Sequence, residues 1–478
     1  MTKPATASNQ SGNKRTITHI LIAGLMLFSM FFGAGNLIFP PMLGVEAGSN
    51  FTPAMIGFLL TGVGLPVVSM IAIAISGDNI HDLARRGGVI FGYAFPVLVY
   101  LSIGALYAMP RTGAVSFSTA VVPLTGWNST TASAIFNIIF FGVAFALVYK
   151  PNNLMDSLGR IVTPALLILI TALVILAVAK LKDNGLEPSG DFTENPLATG
   201  FVNGYLTMDS LAALAFGIIV ISALRYKGVP EGATMVRSAT YVGIIAGVLL
   251  GAVYVGLGLV GQVIPNPTSY GEGAALLSDA ASLTMGEVGR TIFGLIVLLA
   301  CIGTAAGLMG ACSEFFHELL PGIPYRAWAI IFTLTSITIA TAGLEVVLAI
   351  AVPIIGFLYP PAMTLVALRL LEPLVKPRMR FSYYFGLYVA TAWALMMSLR
   401  ASGIGEALFD ALIGWAPGDA IDLGWAMPTL VAAIIGLVID VARGEEKPVS
   451  GHELIAQELA DELDSESDTA PASADLKA

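Results

Sequence analysis

The residues of this chain best suited to chemistry sit in the middle of apolar stretches. Residues 20–46 read ILIAGLMLFSMFFGAGNLIFPPMLGVE, long enough to cross a bilayer, yet Gly33-Ala34-Gly35-Asn36 and Pro40-Pro41 interrupt the run. Gly and Pro cost about 1 and 3 kcal/mol in a helix interior, and irregular backbone at membrane depth is tolerated only where it is buried in protein or lines a cavity. A second stretch, residues 201–225, reads FVNGYLTMDSLAALAFGIIVISALR and carries Asp209 near its middle, with Gly204, Thr207 and Ser210 around it. An acid at that depth costs about 2.5–3.5 kcal/mol on the insertion scale and so has a function or a partner. Where a helix breaks, its last carbonyls and the first amides of the next helix lose their partners. The amides, at the positive end of the helix dipole, favour a carboxylate; the carbonyls can ligate a dehydrated sodium ion or an ammonium group. The chemistry on offer is therefore the holding of small charged groups.

Within the first break, the amides of Gly35, Asn36 and Leu37 open a second half-helix that Asn36 can cap. Within the second, Thr207 and Asp209 are placed to cap a half starting near Ser210. Asp209 is read as that cap alone, as cap and site member, or as half of an ion pair. Arg111 is the one arginine inside a predicted span. It is read as a gate or as an ion-pair partner of Asp209 or Glu314, or as snorkelling to the headgroups. Glu314, near a span end, is read as interfacial. The four histidines (His19, His81, His317 and His452) fall at span ends or in polar segments, which argues against a histidine relay or an intramembrane zinc centre. No Ser/His/Asp, Cys/His or metal-ligand cluster sits at one depth, so the chain is expected to be no enzyme and to use no organic cofactor. No selectivity filter or ring of like charges suggests a channel.

These residues need a membrane framework. The chain has 478 residues, 56% hydrophobic and 12% charged, against roughly 25% charged in soluble chains; its mean hydropathy is +0.83. Twelve spans are expected, at about 19–46, 52–76, 90–119, 131–149, 159–180, 200–224, 235–262, 288–316, 326–343, 346–371, 382–401 and 424–442. Of the 23 Lys and Arg residues, eighteen then fall on the side of the N-terminus and four on the other, with Arg111 inside a span. By the positive-inside rule both termini are cytoplasmic. Residues 1–16 read as a polar cytoplasmic N-terminus, 17–443 as the membrane domain and 444–478 as an acidic, mostly disordered tail that accounts for most of the net charge of −9. An amphipathic helix is expected within that tail, at 452–463. Residues 264–287 have helical patterning on the outside, as a lid would. Cys301 and Cys312 share one expected helix and imply no disulfide framework. The two interrupted spans lie five apart, the pattern of an inverted repeat of two five-helix halves.

The runs FSMFFGAGNLIFPPMLG (28–44), ALYAMPRTGAVSFS (105–118), YLTMDSLAALAFGIIV (205–220) and LACIGTAAGLMGACSEFF (299–316) resemble the bacterial branched-chain amino acid:cation symporters, the LIVCS or BrnQ-type carriers of the APC superfamily. The resemblance spans the membrane domain. It implies a LeuT-type 5+5 inverted repeat plus two further helices, with the first and sixth spans broken. It also implies sodium-coupled uptake of leucine, isoleucine or valine across a bacterial plasma membrane, with no nucleic acid and no obligate protein partner. By analogy with that fold, the substrate carboxylate meets Gly33, Ala34, Gly35 and Asn36, and its ammonium meets carbonyls of Leu206 and Thr207 beside Asp209. The Na+ coupling ion is expected between spans one and eight, on carbonyls near Ser29, Phe32 and Ala300 and the hydroxyl of Thr304. Asn36 is also a candidate for a second sodium. Sodium-coupled members of the fold often carry two adjacent hydroxyls on helix eight. Here the pair reads Gly303-Thr304, so one is missing and the ion's identity stays open. The alternative is a proton-coupled symporter or exchanger of other apolar amino acids on the same fold.

Overall fold

The computed structural model describes residues 6–77, 79–149, 154–182, 185–375 and 378–444, and every regular element among them is helical. Residues 445–478 of the expected acidic tail, including 452–463, lie outside the described residues. Eight helical runs are long and apolar enough to cross a membrane by length and composition. The first, 34–74, joins the second half of span one to span two through the 3-10 turn Gly48–Asn50. Four further crossings complete the expected twelve: the first helix Thr6–Phe31 and the helices Tyr325–Thr341, Leu344–Leu371 and Phe381–Ala401. Large apolar side chains such as Ile138, Ile139, Ile168 and Val438 are exposed on the outer spans, as a lipid-facing surface requires.

Two spans are broken, as the sequence predicts. Span one is the helices Thr6–Phe31 and Ala34–Ala47; span six is Pro196–Tyr205 and Asp209–Tyr226. The first break is narrower than expected. It lies at Phe32-Gly33, and Pro40 and Pro41 sit inside the second half-helix rather than ending it. Each proline removes one N–H from the ladder, which a helix buried against protein can absorb. The polar residues from Thr6 onward continue the first helix instead of preceding it.

The repeat is visible in packing where it is faint in sequence. Both halves of span one lie along span seven (Ala233–Val263), and both halves of span six lie along span two. Glycine makes both approaches possible. A Cβ on Gly44 would lie 2.1 Å from the carbonyl oxygen of Gly258, and one on Gly261 would lie 2.0 Å from that of Pro41. In the matching pair, a Cβ on Gly57 would lie 2.0 Å from the carbonyl of Leu197, and one on Gly200 would lie 1.9 Å from that of Ala54. In a membrane, where burial in lipid drives no helix pairing, such backbone-to-backbone contact supplies the packing.

The appended spans are tied by a cap. Buried Asp440 of the last helix, Ala426–Arg443, accepts the N–H groups of Phe381 and Ser382, both at 2.9 Å, at the start of span eleven. At the end of the bundle rich in basic residues, Arg369 of span ten donates to Ser76 (2.8 Å), to the carbonyl of Ile75 and to Glu372 (2.8 Å), and Glu372 also receives Arg86 at 3.0 Å. At the opposite end, the expected lid is a helix, Gly273–Met285, packed on the second half of span one.

Gly200→Val is expected to destabilise the purified protein by about 1–3 kcal/mol through overpacking, read as a lower midpoint in thermal unfolding. Gly142→Ala, inside helix Thr130–Val148 where nothing lies within 4 Å, is expected to keep the midpoint or raise it slightly.

Candidate functional site at the two helix breaks

The two breaks meet. Asn36, in the first turn of the second half of span one, is 2% exposed. Its Oδ1 accepts the Gly33 N–H at 3.0 Å, closing the break on itself. Its Nδ2 reaches across to Asp209, at 3.1 Å from Oδ1 and 2.8 Å from Oδ2, and also donates to the Tyr254 hydroxyl. Tyr254, on span seven, donates in turn to Asp209 Oδ2 at 2.5 Å. One carboxylate thus joins spans one, six and seven. Asp209 opens its half-helix, and Thr207 bridges the break: its hydroxyl donates to the Gly204 carbonyl at 2.8 Å and stands 3.5 Å from the Asp209 N–H. Met208 completes the turn in the left-handed region, φ 67°, where a non-glycine residue costs about 1–3 kcal/mol.

Around this network lies a narrow cavity of about 20 Å³, room for about one water molecule. Gly33, Ala34, Asn36, Thr207, Asp209, Arg111 and Thr304 all line it, among apolar side chains that include Met30, Phe31, Ile103 and Leu308. The sequence brought most of these together by residue type. It missed Tyr254 and Met208, because no local pattern ties Tyr254 to an acid forty-five positions earlier. The apolar lining residues are indistinguishable by type from ordinary packing.

Span eight faces the first break through Thr304. A Cβ on Gly33 would lie 2.6 Å from Thr304 Oγ1, and one on Gly303 would lie 2.3 Å from Ser29 Oγ and 2.7 Å from the Ser29 carbonyl. Both hydroxyls are buried and have no hydrogen-bond partner among the described residues. That is unusual for a helical threonine in this chain. Thr333, Thr338, Thr364 and Thr391 all turn back to the carbonyl four residues earlier, at 2.7–2.9 Å. Thr304 makes no such bond to Ala300, which is itself buried. Because Gly33 gives its N–H to Asn36, the Ser29 carbonyl lacks the donor that an unbroken helix would supply. The second hydroxyl absent from position 303 therefore has a counterpart across the gap, on Ser29. Phe32 and Gly33 are left between the two halves, and the Phe32 N–H goes to Phe28 at 2.8 Å.

Three predicted residues stand apart from this network. Glu314 is half-buried on helix Glu287–Leu319 and does not line the cavity. Arg111 does line it, but no carboxylate of the described residues lies within ion-pair distance of its guanidinium, which donates instead to Tyr107. Leu206 lies on the other side of its break, lining a larger apolar pocket with Tyr205, Tyr359 and Trp425. Among the described residues no cluster of three metal-binding side chains occurs.

A model of branched-chain amino acid transport proteins matches residues 16–443. The chain belongs to that family. Its members are transporters rather than enzymes. The chain is 51% identical over 438 residues to the branched-chain amino acid permease BrnQ of Corynebacterium glutamicum, covering 91% of this chain and 99% of that one. It is 36% identical to the permease BraB of Bacillus subtilis, covering 90% and 97%. Among solved structures it resembles Mhp1, a nucleobase-cation-symport-1 family transporter, in a closed conformation (TM-score 0.56, 14% identity, 88% of this chain and 91% of that chain) and in an inward-facing one (TM-score 0.51, 13% identity). That likeness establishes the LeuT-type fold of this member of the family.

Tyr254→Phe leaves Asn36 and Asp209 each short of one contact. It is expected to lower stability by about 1–3 kcal/mol, measured as a drop in the thermal unfolding midpoint. Asp209→Ala removes the shared acceptor of Asn36 Nδ2 and the Tyr254 hydroxyl and is expected to cost more.

Proposed function

We propose that this chain imports branched-chain amino acids across a bacterial plasma membrane by sodium-coupled symport and alternating access, with both termini cytoplasmic. Membership of the branched-chain amino acid transport family supports the substrate class. The observation that carries the coupling is the pair of unpartnered, buried hydroxyls of Ser29 and Thr304, facing each other's spans across two glycines. A hard cation takes several oxygen ligands and no soft ones. Hydroxyls Ser29 Oγ and Thr304 Oγ1, with the Ser29 and Phe32 carbonyls, form such an oxygen set on residues of spans one and eight. A cation held there favours whichever state brings the two spans together, and amino acid binding at the neighbouring breaks then acts on the same equilibrium. The zwitterion meets the amides opening the half-helix after Gly33 and the polar groups at Thr207 and Asp209.

A proton-coupled carrier would use Asp209 as its titrating group. Against that reading, the Asp209 carboxylate already receives Asn36 and Tyr254 as donors and is tied into holding three spans together.

Uptake of radiolabelled leucine into proteoliposomes is expected to follow an inward sodium gradient and to be indifferent to a matched proton gradient. Thr304→Ala and Ser29→Ala are each expected to raise the sodium concentration for half-maximal uptake by about tenfold or more. Uptake driven by the proton gradient alone would refute sodium coupling, and absence of leucine uptake under both gradients would refute the substrate.

A further inference from the structure

We propose that Arg111 is the receptor for the substrate's carboxylate, an inference that rests on reading the cavity at the two breaks as the amino acid site. The argument begins with how span three is built. A π-helical turn, Ser102–Leu106, ends at Tyr107, whose backbone (φ −142°, ψ −71°) leaves the helical region. The next helix, Ala108–Ser116, starts there, with Pro110 in its first turn. Single π-turns of this kind re-aim side chains, frequently at functional sites. Here the re-aimed side chain is Arg111, 7% exposed and lining the cavity.

Its guanidinium is held from one side. Nη1 donates to the Tyr107 hydroxyl at 2.5 Å, and the guanidinium carbon lies 4.8 Å from the centre of the Tyr107 ring. The rest is uncommitted among the described residues: Nε is buried without a partner, no other acceptor is bonded, and no ion pair is made. Asp209 lines the same cavity and acts on Arg111 only across a gap; a buried arginine without a contacting carboxylate is costly, and residues of this kind at membrane depth face a partner or a water-filled path. Arginine's planar fork matches a carboxylate with two parallel bonds.

The position of the fork matters as much as its charge. A Cβ on Gly35 would lie 2.9 Å from Arg111 Nη2, so the guanidinium rests on the backbone of the first break. The amides opening that half-helix and the open face of the guanidinium therefore converge on one place. Each of the two glycines clears a different group: Gly33 clears the Thr304 hydroxyl and Gly35 clears Arg111. Tyr107 is then a positioning residue, and an amino acid lacking its carboxylate loses the main polar anchor of the site.

The test compares leucine with leucinol, which keeps the ammonium and the side chain but has a hydroxymethyl group for the carboxylate. Binding of each to the purified full-length protein is measured by calorimetry in sodium buffer, for wild type, Arg111→Gln, Arg111→Lys and Gly35→Ala. Wild type is expected to prefer leucine by about 10–100-fold. Arg111→Gln is expected to erase that preference while leaving the leucinol affinity within about threefold. Gly35→Ala, which displaces the guanidinium, is expected to reduce the preference in the same direction. If Arg111→Gln does not purify as a folded species, the leucine-to-leucinol ratio in Arg111→Lys and Gly35→Ala decides. Equal loss for both ligands would assign Arg111 to structure, for example to pairing with Asp209, and would overturn the inference, as would an unchanged ratio. Wild type that binds and carries no leucine would overturn the amino acid site itself, and this inference with it; the two failures are thus told apart.

Discussion

Every other feature of this site depends on one requirement: backbone and side-chain polar groups exposed by a broken helix in an apolar medium must find partners. At the first break Asn36 meets the Gly33 amide with its oxygen and spends its amide nitrogen on Asp209 and Tyr254. At the second, Thr207 spans the gap between Gly204 and Asp209. The acid that is expensive at this depth is the group that satisfies donors from two other spans. Its cost and its use are the same fact, since a half-satisfied network would be worse than an apolar one.

Much of this was legible in the chain. Gly33-Ala34-Gly35-Asn36 and Asp209 marked the two breaks because their residue types do not belong in a lipid-embedded helix, and the spacing of the interruptions pointed to the repeat. Other parts could not be read. Pro40 and Pro41 look like a second interruption but are carried within a helix that packs along span seven. Tyr254 is one aromatic among many in apolar spans, and only the fold brings it to Asp209. The serine hydroxyl opposite Gly303 was hidden for a similar reason: sequence shows what helix eight lacks and cannot show what another helix places there.

The π-turns belong with these unreadable features. Span three contains two, at Ser102–Leu106 and Phe117–Val121, and spans two and five contain one each. Each shifts the phase of the side chains that follow it, so a helical wheel drawn straight through span three would put Arg111 on the wrong azimuth. Residue type identified Arg111 as worth attention; the π-turn decides that it faces the cavity rather than the headgroups.

The glycine-to-carbonyl contacts have a mechanical consequence. Spans one and seven, and spans six and two, touch backbone to backbone, and span seven also packs along span two. Asn36, Tyr254 and Asp209 stitch three of those four spans together. The four form a single stiff body with little side-chain padding to shear. Thr304 and Arg111 come from spans eight and three, outside that body. A cation between Ser29 and Thr304, and a carboxylate between the first break and Arg111, each sit astride the seam between the body and its surroundings. On the proposed function, the ligands are the removable mortar of that seam.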